Sequence, residues 1–413
     1  MASDPNGGVC LIRRVVIRNY KSIAACDVEL GPLTFLVGPN GSGKSNFLDA
    51  LRFVSDSLRY SLEHALRDRG GIDEIRRRSA GTAANIAIRV DFHLPDGGGS
   101  GHYALEIGGT RDSVEIQHEE CRVAGGLLLA GHQPQFFEVS KGGVSQSFDH
   151  LGPARAKDRL YLVSVSGIGA FRFVYDALSN MGFYSLNPDV IRDLQPPAPG
   201  ELLARDGANL PGVLQKLSIR NPRLKTRVEE YMAQVVPGIY GVNAIPLGPR
   251  ETIEFLQQET PEGHRWRFLA ANMSDGTLRA LGVLMALFQN GKEDQSGPTL
   301  VGIEEPETAL HPAAAGVLID SMRDAISMRQ VLVTSHSPEL LDNPSIAGSE
   351  ILAVVAEGGE TRVGRLDEAG RSVLRDHLFT AGDLLRMNQL RPDPTIGALH
   401  PEDLQLFGTK APA

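Results

Sequence analysis

Cysteine is scarce in this chain of 413 residues: there are three, Cys10, Cys26 and Cys121. They lie far apart and fit no zinc-binding or C-x-x-C spacing. That sets aside a cysteine-ligated metal and a disulfide framework, and fits free thiols in a reducing cytosol. Positive charge is not in excess either, with 41 Lys and Arg against 50 Asp and Glu and a net charge of -9. No global basic field announces nucleic acid, although such a chain can still carry a local basic patch. Long apolar runs are missing. The longest, Ala280–Phe288, falls far short of the ~20 residues a membrane helix needs, so no membrane partner is expected. The opening MASDPNGGVC has neither a basic n-region nor an apolar h-region, so no signal peptide is expected and the expected location is cytoplasmic. There is no repeat of 20 to 50 residues and no low-complexity tract. What remains, 42% hydrophobic and 22% charged residues, is the ordinary make-up of a globular protein.

Glycine is plentiful, and one group of it is placed with purpose. In LTFLVGPNGSGKSNFLDALRFV, starting at Leu33, the first five residues read as a short buried strand. Gly38–Ser45 then matches G-x-x-x-x-G-K-[ST], and Asn46–Val54 takes helical spacing through Phe47, Leu48, Leu51 and Val54. Phosphate binding needs this order. Glycines let backbone N–H groups curl round a phosphate without Cβ clashes, and a helix N-terminus adds partial positive charge. Asn40, Gly41, Ser42, Gly43, Lys44, Ser45 and Asn46 form the candidate phosphate site. Lys44 would reach the β- and γ-phosphates, and the Ser45 hydroxyl would bind Mg. A glycine-rich turn that happens to carry Lys-Ser is the plain alternative, and the flanking strand and helix weigh against it.

A second unusual stretch is LVGIEEPETALHP, Leu300–Pro312. An apolar run ends in Glu304 and Glu305, and Glu307 follows. Carboxylates resist leaving water unless something positive meets them. A strand ending in acids is the usual companion of a phosphate loop: one carboxylate takes the metal and the next holds the attacking water as general base. Glu304 is thus the candidate metal residue, directly or through water, and Glu305 the candidate base. A strand end that simply reaches solvent would carry the same charges. Ser274-Asp275-Gly276 precedes Leu278, Leu281, Leu284, Met285 and Phe288, one face of a capped helix. Its N-terminus is an anion site or a plain cap. In QVLVTSHSPELL, Gln330–Leu341, Val331–Val333 is a β-branched strand with His336 at its carboxyl end. His336 would reach a γ-phosphate, or is a satisfied strand-end histidine. The order of the four pieces favours reading them together.

That order resembles the ATP-binding-cassette (ABC) ATPases of the SMC/RecF/OLD-like branch, in particular bacterial AAA-type ATPases that carry the cassette without a long coiled coil. The resemblance is carried by IRNYKSI at Ile17–Ile23, VGPNGSGKSN at Val37–Asn46, FYSLNP at Phe183–Pro188, MSDGTLR at Met273–Arg279, GIEEPETALHP and TSHSPELL. It implies an α/β fold: a P-loop head with a mixed sheet flanked by helices, an inserted β-rich segment and a short helical arm. ATP and Mg are the implied ligands. Ser274 and Gly276 look like the cassette signature, which would contact the γ-phosphate held by a second subunit. ETALHP looks like the D-loop, with His311 where transporter cassettes usually carry aspartate. His336 looks like the switch histidine, a catalytic position beside Glu305, and Arg18, Asn19 and Lys21 resemble positions that approach the nucleotide. The implied assembly is a homodimer, or a higher oligomer, through shared ATP sites.

The phosphate loop and the acidic strand are far apart in the chain, so the middle must be an insertion. Residues 1–55 and 245–345 are expected to be two halves of one head, with 56–165 its inserted β-rich part, 166–244 a helical arm and 346–413 a C-terminal cap. Ala84–Leu94, His102–Gly108 and Ser113–Val123 alternate apolar and polar, as half-buried strands do, and Leu127 to about Val165 looks like further strands and turns. LPGVLQKLSIRNPRLKTRVEEYMAQVV reads as two helices split at Asn221-Pro222, with no heptad sustained long enough for a coiled coil. Arg76, Arg77 and Arg78, and Arg220, Arg223, Lys225 and Arg227, are local basic clusters: solvated faces, or contacts to a nucleic-acid backbone. The residues after Leu341 look like a helical cap rather than the Toprim nuclease of OLD-like relatives. Any nuclease or toxin is therefore expected on a separate effector protein. Three functions follow: an ATP-hydrolysing dimer that drives an effector, in phage defence or DNA maintenance; an ATP-bound scaffold or switch with little turnover; and a DNA-repair ATPase acting on DNA ends. A base at Glu305 argues for turnover. A transporter cassette is disfavoured, because the insertion and tail do not match one.

Overall fold

The computed structural model describes residues 11–77, 84–95, 99–111, 113–125, 134–147, 159–199, 202–258, 263–289, 297–395 and 399–408. Cys10, Arg78 and parts of the stretch 127–165 lie outside them. The chain forms two compact units. The first takes the described residues of Met1–Met181, Ala347–Leu378 and Met387–Ala413; the second takes those of Gly182–Ile346 and Phe379–Arg386.

In the first unit, seven strands make one antiparallel sheet in the order Ile23–Glu29, Leu11–Tyr20, Ile86–Leu94, Gly99–Thr110, Ser113–Ala124, Gln135–Ser140 and Gly143–Gln146. The β-rich stretch therefore continues a sheet begun by the first two strands, with Val15 opposite Val90 and Ile17 opposite Ile88. The expected half-buried alternation is not kept in Ile86–Leu94, where both faces are largely covered. The C-terminal residues are one reason: Leu404 and Leu406 pack on Val16 and Ala87, and Phe407 stacks on His118 at 3.9 Å. Backbone carbonyls there also need donors, and Arg89 supplies one to Leu406 and Gly408, each at 3.3 Å.

The same unit holds a mixed sheet. Leu33–Val37, buried throughout, runs parallel to Ile351–Glu357, which pairs antiparallel with Glu360–Arg365. The C-terminal region thus supplies two strands before its helices Glu368–Arg375 and Ala381–Arg386. The helix Lys44–Arg59 buries Phe47, Leu48, Leu51 and Val54, the 3.6-residue stripe read from the sequence, and continues it to Leu58.

In the second unit, Leu300–Glu304 lies between Gly182–Tyr184 and Gln330–Ser335, parallel to both. A buried parallel strand reads as a continuous apolar run, which is why Leu300–Ile303 carries no polar side chain. Three antiparallel strands, Ile239–Leu247, Arg250–Gln258 and Arg265–Leu269, form a separate sheet. The two helices expected to split at Asn221-Pro222 are Leu210–Arg220 and Pro222–Val235, and the Asn221 side chain caps the second by accepting from Leu224 N.

Four members of the basic clusters are engaged within the fold. Arg76 is buried and donates to Gly109 O at 2.7 Å, and Arg77 pairs with Glu360. In the arm, Lys225 pairs with Glu229 at 2.5 Å and Arg227 with Asp324 at 2.7 Å. Arginines enter or cover a fold when carbonyls or carboxylates meet them, and these do.

Candidate functional site

Two groups of residues carry the candidate chemistry, one in each unit. In the first unit the loop Gly38–Gly43 turns back on itself through Gly41 at φ 76° and Gly43 at φ 102°, a region that side chains disfavour. A Cβ on Gly38 would sit 2.0 Å from Val354 O, and one on Gly43 2.0 Å from Thr361 Oγ1. The glycines are thus needed for packing as well as for the turn. Gly43 caps the helix with no side-chain hydrogen bond, and a helix N-terminus is where partial positive charge meets an anion. Lys44 is buried, and its Nζ donates to Gly38 O at 2.8 Å and Pro39 O at 3.0 Å.

A relay behind the loop was not legible in the sequence. Asn46 Nδ2 donates to Ser22 Oγ at 2.6 Å. Ser22 Oγ is 2.7 Å from Thr361 Oγ1, which donates to Ser42 O at 2.8 Å. With Thr361 donating forward, the Ser22 hydroxyl must donate to it. Asn46 therefore braces the loop. Ser42 Oγ is buried without a hydrogen-bond partner, an unsatisfied donor of the kind a phosphate oxygen would meet. Arg18 pairs with Glu106 at 2.9 Å, Asn19 donates to Asn85 O at 3.1 Å, and Lys21 pairs with Asp49 at 2.5 Å. All three are engaged within the unit.

In the second unit the acidic strand ends abruptly. Glu304 is the last strand residue, in register with Thr334. Glu305 turns away at φ 45°, while its N–H is held by Thr334 O at 3.0 Å and Thr334 Oγ1 at 3.2 Å. The two carboxylates consequently part. Glu304 Oε1 accepts from Arg205 at 2.8 Å, and Glu305 Oε1 lies 2.9 Å from His336 Nδ1. With Glu305 ionised, His336 Nδ1–H donates and Nε2 is left for another group. Arg279 donates to Glu305 O at 3.3 Å; burial lowers its pKa despite the neighbouring Glu305, Glu307 and Asp275. Arg205 had no signal in the sequence; Arg279 and Thr334 lie within the motifs MSDGTLR and TSHSPELL but were given no role there.

Ser274 is an N-cap: its Oγ accepts from Thr277 N at 3.2 Å, at the start of the helix Asp275–Phe288. The cap is therefore present, and Ser274 itself stays exposed. Gly276 is held against the turn after the acidic strand, where a Cβ would lie 2.5 Å from Ala309 O. A cavity of about 400 Å³ opens beside this group, with Glu305, Glu307, His311, His336 and Glu339 in its wall. Glu305, His336, Ser274 and Gly276 thus share one unit, and Asn40–Asn46 with Arg18 and Asn19 lie in the other.

Among the described residues no group of three or more His, Cys, Asp or Glu is poised to hold a metal ion. Ser45, in the first unit, and Glu304, in the second, each carry a hard oxygen of the kind that Mg prefers.

Comparison with known proteins places these features in a family. Residues 33–119 and 208–342, more than half of the chain, match the family described as "AAA domain, putative AbiEii toxin, Type IV TA system". The chain is 33% identical over 104 residues to the DNA replication and repair protein RecF of Magnetococcus marinus, covering 24% of this chain and 26% of that protein. It is 41% identical over 44 residues to the OLD nuclease of Thermus scotoductus, covering 11% of this chain and 8% of that one. The chain thus spans about a quarter or less of the length of these curated relatives. Among solved structures, an Smc head bound to the C-winged helix domain of ScpA superposes with a TM-score of 0.54 at 14% identity, covering 87% of this chain and 99% of that one. That last likeness concerns the fold: an α/β head with mixed sheets flanked by helices. No helix among the described residues is long and apolar enough to cross a membrane.

Proposed function

The chain belongs to this AAA-domain ATPase family, as an SMC/RecF/OLD-like protein of ABC type, and from that premise we propose that it binds and hydrolyses Mg-ATP. The observation that carries the proposal is Glu305, a strained residue at a strand end with His336 on its carboxylate. Strained residues persist where the surroundings over-determine them, and they concentrate at functional sites.

Lys44 and the backbone of Asn40–Asn46 hold the phosphates of ATP. Ser45 and Glu304 would be the residues that hold Mg, which would supply neutralisation of charge on the phosphate oxygens; Glu304 is met here by Arg205. Glu305 accepts a proton from the attacking water, and His336, fixed by Glu305 at Nδ1, offers its other face to the γ-phosphate. Arg18 and Asn19 order the nucleotide's surroundings through Glu106 and the Asn85 carbonyl. Ser274 and Gly276 serve the γ-phosphate of a second copy, so the working form is a homodimer or a higher oligomer closed round ATP. That closure drives or gates a separate effector, a nuclease or toxin, in phage defence or DNA maintenance. A nucleic acid remains a candidate partner of the same assembly.

Two variants test the reading. Lys44→Ala removes the main charge contact and should abolish ATP binding in calorimetry. Glu305→Gln keeps the shape but accepts no proton, so ATP should bind while turnover falls about 10²- to 10⁴-fold. Wild-type turnover by Glu305→Gln would place the base elsewhere. A wild-type protein that binds ATP without turnover would favour the scaffold reading.

A further inference from the structure

Glu307 has no part in the chemistry above, yet its carboxyl is drawn into the same group. Its Oε1 accepts from Ser335 Oγ at 2.6 Å, and Ser335 Oγ in turn accepts from Ser337 N at 3.1 Å. His336 lies between those two residues in the chain. Ser335 ends a fully buried strand, and Ser337 caps the short helix Pro338–Leu341 by accepting from Leu340 N. The backbone on both sides of His336 is thus tied to one oxygen atom, and that oxygen is tied to Glu307. Burial raises the Glu307 pKa, with Ser335 opposing it. Its second oxygen, Oε2, is buried with no hydrogen-bond partner. A carboxyl so placed is suited to accept one hydrogen bond rather than to carry charge.

We infer that Glu307 is a positioning residue: its carboxyl, acting as acceptor for Ser335, holds the Ser335–Ser337 turn in the geometry that sets His336 on Glu305. The inference rests on the proposed roles of Glu305 and His336. What it requires of position 307 is an acceptor of glutamate length, not a negative charge. Aspartate falls short of Ser335, alanine offers nothing, and glutamine supplies an amide oxygen in the same place.

The test compares three variants in steady-state ATP hydrolysis. Glu307→Gln should keep kcat near wild type. Glu307→Ala should lower kcat about 10- to 100-fold, the scale of a misplaced catalytic group, with KM for ATP unchanged because the phosphate loop is untouched. Ser335→Ala cuts the same hydrogen bond from its other end and should give a similar loss. The double variant should be no worse than Ser335→Ala alone, since that change already removes the Glu307 bond together with the one from Ser337 N. A Glu307→Gln protein as inactive as Glu307→Ala would overturn the inference, because the carboxylate itself would then be acting. A loss expressed in KM would overturn it too. If Glu307→Ala fails to fold, Ser335→Ala reads the same bond. A second readout needs no ATP: in histidine-selective ¹⁵N NMR, the His336 ring resonances should match wild type in Glu307→Gln and move in Glu307→Ala and Ser335→Ala. If wild type hydrolyses no ATP yet these resonances follow that pattern, the proposed function fails and the positioning role stands. Resonances indifferent to all three variants would sink the positioning role alone.

Discussion

Glu305 sits in the left-handed region at φ 45°, which costs a residue with a side chain about 1 kcal/mol or more. Two acceptors on Thr334 hold its N–H there, and the reward is a carboxylate turned off the strand axis onto His336. Glu119, in the other unit, shows the opposite use of a buried acid. It accepts from Tyr161 N at 2.6 Å, Leu162 N at 2.9 Å and the Tyr103 hydroxyl at 3.0 Å. Burial nevertheless wins over those three donors and pushes its pKa from 4.5 up to about 7. An acid raised in the folded state favours folding in its protonated form. Its contribution is therefore fully present below the unfolded value and lost as pH rises through the folded one. Thermal unfolding should show stability falling between about pH 4.5 and 7 for this reason, and Glu119→Gln should flatten that slope. A slope unchanged in the variant would assign it to other groups.

Helix Asp275–Phe288 is the element on which the signature depends. From Thr277 onward it is buried almost throughout, while Asp275 at its start is exposed. Such a helix cannot shift to relieve a clash at its N-terminus, because its body is packed. Gly276 is where that rigidity is felt: a Cβ there meets Ala309 O at 2.5 Å, and Ala309 is itself held at φ 64°. Gly276→Val should therefore cost about 1–3 kcal/mol, as overpacking does, read as a lowered midpoint in denaturant. If the signature works as proposed, the same variant should lose turnover while one subunit still binds ATP. A variant with wild-type stability and turnover would show that the Ala309 turn moves freely.

For the whole molecule, the decisive test is one of self-association. In the proposed mechanism each Ser274 meets the γ-phosphate of the other copy, an isologous arrangement in which the nucleotide is part of the interface. Light scattering of Glu305→Gln should show a mass that doubles in saturating ATP and returns with ADP. Ser274→Arg should keep ATP binding and lose both closure and turnover. A mass that stays monomeric with ATP would remove the shared-site mechanism. A mass constant at two or more copies would mean that other surfaces hold the subunits together.

The strand, turn and helix of the candidate phosphate loop were legible in the sequence because they are local. Four residues between Gly38 and Gly43, then a lysine and a serine, all within one strand–turn–helix, specify a backbone that needs no distant partner to be recognised. The apolar run into Glu304 and the cap at Ser274 are local in the same way. Periodicity, however, reports only how a segment folds against its own neighbours. Glu305 and His336 are 31 residues apart, Arg205 and Glu304 are 99, and Thr361 and Ser42 are 319. Their pairing depends on which strands lie side by side, and strand order is settled by tertiary packing. The same limit hid Arg76 and Arg77, whose run of like charge suggested a surface until folding delivered Gly109 O and Glu360 to meet them. The sequence by itself determined which chemical groups were present and which short backbones would carry them. Only the tertiary structure decided which carboxylate meets the histidine, which meets an arginine, and which, at Glu307, is left to hold a turn in place.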